Sequence, residues 1–206
     1  MRRIASTTSL ALAIVGVAAI VVGSLLIDRS PDTDLAPPSA WAQFAMGGSE
    51  VEQYADFGEM AAAADGVVIA RVTGVALSRT IQGDAAEDVV PMIRVDLAVE
   101  SVLAGTAVPS AVALELIAPD VSVDAARERA AKMDAERSQQ PVLVFLRRKE
   151  LGYHRPVNSL GLWEESAGVL TAPLALPEDA TAFLAGTKAR SFADMVAVVA
   201  GAAPAA

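Results

Sequence analysis

The sequence predicts an α+β fold: an N-terminal transmembrane helix, then a five- to six-stranded antiparallel β-barrel with an inserted helix and two C-terminal helices. Three observations carry this prediction. Ser9–Ile27 is a run of nineteen residues without a charge. Between residues 66 and 172, short segments rich in valine and leucine alternate apolar with polar side chains. Helical spacing interrupts that pattern at 122–137 and replaces it after Pro177.

The leader comes first. Arg2 and Arg3 precede the apolar run, and residues 1–27 contain no acid. A helix of about 20 residues crosses a hydrocarbon core of about 30 Å while satisfying its own backbone. Basic residues before the span and an acidic chain after it predict the N-terminus inside and the remainder outside. The competing reading is secretion after cleavage near Ala42, because Ala40-Trp41-Ala42 has the small-x-small form a signal peptidase accepts. That site lies fifteen residues beyond Ile27, and the apolar run exceeds the usual h-region, so a retained anchor is preferred. The resulting division is an anchor at 1–27, a flexible linker at 28–48, an extracytoplasmic β-rich domain at 49–200 and a disordered tail at 201–206. Pro31, Pro37, Pro38, Gly47 and Gly48 support the linker.

Ser49 and Glu52 form a candidate capping box, and Tyr54, Phe57, Met60, Ala61 and Ala64 follow at helical spacing. Val67–Leu77 reads as a strand with Gly74 as a bulge, and residues 78–90 read as a polar loop. Ile93, Val95, Leu97 and Val99 then share one strand face, with Arg94, Asp96 and Glu100 on the other. After the Leu103-Ala104-Gly105 turn, Val112, Leu114 and Leu116 alternate with Ala113 and Glu115. Pro119 ends that strand. Ser122 is the N-cap expected for an inserted surface helix whose thin apolar stripe is Val123, Ala126, Ala130 and Met133. Val142–Leu146, continuously apolar, reads as a strand buried on both faces. Gly152 and Tyr153 open another strand, and 160–172 form a hairpin turning at Ala167-Gly168. Pro177 at N1 and Ser191 before Asp194 begin the two last helices.

Composition narrows the function classes. The 206 residues include no cysteine and one histidine, which excludes disulfides, thiolate metal sites, a cysteine nucleophile and a multi-histidine centre. Residues 28–206 hold 14 basic and 25 acidic side chains, net −11, which disfavours nucleic acid. Aromatics are 4% of the chain, so the core is expected to be aliphatic.

Five or six short strands with a helix between the third and fourth suggest an OB-like barrel. Ala64–Val72 (ADGVVIARV) resembles the AD-x-VV-x-G-x-V opening strand of exported bacterial domains with the netrin/TIMP (NTR-like) fold. Val95–Gly105 (VDLAVESVLAG) resembles their V-x-VE-x-VLKG strand and turn, Val142–Leu146 their YLLFL strand, and Gly161–Val169 their late hairpin. Ala70 stands where glycine is usual and Ala104 where lysine is usual. The resemblance spans about residues 60–172 and implies a fold and an exported location. It carries no activity, because protease inhibition in the TIMP-like members depends on an N-terminal cysteine.

Candidate chemistry is sparse. His154 is the general base available to a hydrolase, given a carboxylate to orient it. No Gly-x-Ser-x-Gly elbow exists, and Ser159-Leu160-Gly161 lacks its first glycine. Asp84, Glu87 and Asp88 crowd one loop without the spacing of a calcium-binding hand. Glu164 and Glu165 are adjacent on a strand, so they point to opposite faces and cannot flank one bond. Arg147-Arg148-Lys149 reads as a solvated turn, and Trp41 and Phe44 read as linker residues. Trp163 and Tyr153 belong either to the core or to an exposed binding face, with the core preferred. The expectation is a membrane-anchored, extracytoplasmic, non-catalytic binding module for an envelope protein or polymer, with no cofactor, metal or catalytic residues. The alternatives are an envelope hydrolase, or its accessory domain, using His154 with a carboxylate, and a cation or small-ligand carrier using residues 83–88.

Overall fold

The computed structural model describes residues 41, 44, 52–83, 89–119, 121–149, 152–166, 168–187, 189 and 191–202. The leader at 1–27 and most of the linker lie outside these residues. Among the described residues, no helix is long and apolar enough to cross a membrane. Ala36–Ala206 forms one compact unit.

Its elements run α1 (Phe57–Ala63), β1 (Gly66–Gln82), β2 (Val89–Ala104), β3 (Ala111–Ile117), α2 (Val123–Ala135), β4 (Val142–Arg148), β5 (His154–Pro156), β6 (Leu162–Ser166), β7 (Val169–Thr171), α3 (Pro177–Gly186) and α4 (Phe192–Ala202). The fold is α+β, with the inserted helix and the two C-terminal helices where the sequence predicts them. The sheet differs from expectation in two respects. It has seven strands rather than five or six, in the order β1-β2-β3-β5-β4-β6-β7. It is also mixed rather than antiparallel, because β3 and β5 run parallel through Leu114 and His154. A further pairing of β1 with β4 makes the sequence β1-β2-β3-β5-β4-β1 a ring of pairings. The strand expected after Gly152 and Tyr153 is β5, but its three residues are too few to reveal the direction in which it pairs.

Long strands curl to make these pairings. β1 is 17 residues long and pairs with β4 only over Gly66–Ala70, whereas its pairing with β2 runs on to Gln82. Four register shifts interrupt β1 and β2, one at the expected Gly74, and such bulges bend a strand and raise its twist. Of the expected loop at 78–90, residues 78–82 belong to β1 and 89–90 to β2, while 84–88 lie outside the described residues. Beyond Ala70, α2 covers part of the β1 edge, and the Asp134 carboxylate accepts the Val75 N–H at 3.0 Å. Gly105 closes the β2 end of the sheet with φ +89, and a Cβ there would fall 2.4 Å from the Asp65 carbonyl oxygen.

Two apolar clusters lie on opposite faces of the strands. Val68, Ala70, Val72, Ile93, Val95, Leu97, Val112, Leu114, Leu116, Val142, Val144 and Leu146 fill the first, with Ala126, Ala130 and Met133 of α2. Val67, Leu143, Phe145 and Trp163 face the second, which α1, α3 and α4 cover. Val142–Leu146 is thus buried on both faces, as its unbroken apolar run predicts.

Several expectations are corrected. Trp41 and Phe44, read as linker, are 3% and 0% exposed and belong to the first cluster. The core is not wholly aliphatic, since Phe57 packs edge-on to Trp163 at 5.2 Å and to Phe183 at 4.9 Å, and stacks on Phe145 at 6.0 Å. Helix α1 begins later than Ser49 suggests. Asp56 caps it by accepting the Glu59 N–H at 2.9 Å, while the Glu59 carboxylate accepts the Ala55 N–H at 2.7 Å. In the expected tail, Gly201 and Ala202 are helical. Ser122 and Ser191 cap α2 and α4 as predicted.

Phe57→Ala is expected to cost about 3–5 kcal/mol, because it empties the centre of the aromatic group. Gly105→Ala is expected to cost more than about 1 kcal/mol. Gly152→Ala shares a positive φ but meets nothing within 4 Å, and is expected to cost less than Gly105→Ala. Urea unfolding midpoints of the three variants check this order.

Candidate functional site

Alternation puts Glu115 on the face of β3 opposite Leu114 and Leu116, where a solvated carboxylate is expected. Its exposure is only 2%. The cause lies on β1. Between Leu77 and Thr80 the register against β2 shifts, so Ser78 and Arg79 share the space opposite Met92. The bulge brings both side chains to Glu115. Arg79 donates through Nε and Nη2 to the two carboxylate oxygens, each at 2.8 Å, and the Ser78 hydroxyl lies 3.5 Å away. This fork-on-fork pairing fits guanidinium geometry and offsets a desolvation cost of several kcal/mol. Hydrogen bonding from Arg79 holds the Glu115 carboxyl below the usual carboxylate range, against the opposing effect of burial.

Other charges flank the pair. Arg94 on β2 stands opposite Glu115 in the register and binds Asp96 at 2.7 Å. The Tyr153 phenol lies beside Arg94 and within the electrostatic reach of Arg79. Arg155 on β5 comes within 3.7 Å of Glu115, and its buried Nε has no hydrogen-bond partner. Three guanidinium groups therefore surround two carboxylates on one face of the sheet formed by β1, β2, β3 and β5. The arrangement presents fork-shaped donors. It offers recognition chemistry.

His154 lies elsewhere. It shares a register position with Leu114 of the first cluster, is 7% exposed, and its buried Nδ1 has no hydrogen-bond partner. Burial depresses its pKa, and the nearby Arg148 charge adds to this, while Asp65 acts in the opposite direction. Asp65 is itself engaged, accepting the Arg148 N–H at 2.7 Å.

The remaining candidates have structural surroundings. Trp163 is fully buried and donates its indole N–H to the Leu160 carbonyl, so the core alternative holds and the exposed-face alternative is overturned. Tyr153 is half-buried beside the arginines. Glu165 accepts the Phe192 N–H at 3.1 Å at the start of α4, while Glu164 is buried, so the adjacent pair does not act on one bond. Arg147 is not a simple solvated turn residue, since it binds Glu52 at 2.8 Å, whereas Arg148 and Lys149 are exposed. Ser159 is buried. Asp84, Glu87 and Asp88 lie outside the described residues. Among the described residues, no group of three His, Cys, Asp or Glu side chains could hold a metal ion.

Sequence reading missed Arg79, Glu115 and Arg155 as a group. Glu115 and Arg155 read as charges within strands and Arg79 as part of the polar loop at 78–90, all of which also describe ordinary solvated positions. No family model, curated protein or solved structure matches the chain.

Two pH effects are expected. The unfolded chain takes up the His154 proton near about 6.5 and more readily than the folded chain, so that contribution to stability is full above about pH 7 and declines as pH falls. Glu115 has the same sign in a lower window. Its contribution is present above the unfolded carboxylate pKa of about 4.3 and is lost as pH falls through the lower folded value. Thermal melts from pH 8 to 3 check both: His154→Leu removes the step nearer neutrality, and Glu115→Gln removes the acidic one.

Proposed function

We propose that the chain is a membrane-anchored, extracytoplasmic, non-catalytic binding module built on an OB-like barrel of the NTR-like kind. The order β1-β2-β3-β5-β4-β1, with α2 between β3 and β4, supports the barrel reading and agrees with the resemblance of residues 60–172. The observation that carries the binding reading is the Glu115 group. It occupies the β1–β3 face, and a strand face of this kind is where OB-type domains receive ligands. Its partner is an envelope protein or polymer that offers acceptor oxygens to Arg79, Arg94 and Arg155. The alternative is a hydrolase using His154, with Asp65 as its carboxylate. Burial of His154 and the engagement of Asp65 by Arg148 speak for the binding module instead.

A photo-crosslinking residue placed at Ala76, exposed and opposite Arg94 in the register, tests this in the full chain in the cells that produce it. An adduct is expected there, absent with the crosslinker at exposed Val169 and at least about tenfold weaker in the Arg155→Ala background. Equal adducts at positions 76 and 169, or none at position 76, would count against the module. His154→Ala is expected to leave the adduct intact, and its loss in that variant would favour the hydrolase.

A further inference from the structure

Trp41 and Phe44 occupy a stretch whose prolines and glycines read as linker, yet both are buried in the first apolar cluster. They also bracket the bond that Ala40-Trp41-Ala42 offers to a signal peptidase. Cleavage after Ala42 would leave Phe44 with the domain and send Trp41 away with the leader. Removing a buried indole leaves a void that the surrounding side chains fill only in part. A domain stripped of Trp41 is therefore a weakened product.

We infer that the bond after Ala42 stays intact and that the folded domain includes Trp41, so that it begins before residue 49, where the sequence places its start. The inference deepens the membrane-anchored reading above, because it removes the cleavage that competes with a retained leader.

The test uses the full chain. The intact mass of the protein recovered from the producing cells and their medium is expected to include Trp41, and an N-terminus at Gln43 overturns the inference. Thermal melting of full-length Trp41→Ala is expected to fall by at least about 6 °C, with Trp41→Phe losing less than half as much. An unchanged melting temperature for Trp41→Ala overturns the place of Trp41 in the folded domain. Recovery of the uncleaved chain solely in the soluble fraction overturns the anchored reading, whereas an N-terminus at Gln43 overturns the intact junction and leaves the binding face standing.

Discussion

Val142–Leu146 has to be dry on both faces, and most of the architecture depends on that requirement. Val142, Val144 and Leu146 enter one apolar cluster while Leu143 and Phe145 enter the other. The same strand pairs with β1 on one edge and with β5 and β6 on the other. A charge at any of these five positions would have no route to water. Phe145 then serves as the floor for Phe57, around which Trp163 and Phe183 gather, so the helical layer is seated by the strand it covers.

Electrostatics follow a different logic on the opposite flank. The domain is strongly acidic, yet the ionic group around Glu115 is rich in arginine. Glu115 tolerates burial because a bulge brings Arg79 over it in a bidentate fork, and the partial engagement of Arg155 leaves donor capacity on the same face. A single inserted residue in β1 therefore has more influence on this surface than the net charge does. His154, the side chain best suited to proton transfer by type, is enclosed near Arg148 and Asp65 on the apolar side of its strand.

Much of the fold was legible beforehand. Alternation located β2 and β3, the unbroken apolar run located β4, and serines at 122 and 191 marked two helix starts. These signals are local, since each arises from the period of a single element or the needs of its first turn. The site was scarcely legible. Glu115 in Ala113-Leu114-Glu115-Leu116 has the spacing of any outward strand carboxylate, and the residue that buries it lies on another strand. Trp41 and Phe44 misled for a related reason: neighbouring prolines and glycines describe how freely a chain can move, not whether two of its rings find a cavity.

By itself, the sequence determined which segments become strand or helix, which strand faces are apolar, and that thiolate and multi-histidine chemistry is absent. Those properties follow from backbone sterics, side-chain period and the inventory of functional groups. Tertiary structure alone decided the parallel β3–β5 closure, the burial of Glu115 beneath Arg79, the enclosure of His154 and the capture of Trp41. Each of these depends on groups distant in the chain meeting in a dry interior, where desolvation and pairing outweigh local propensity.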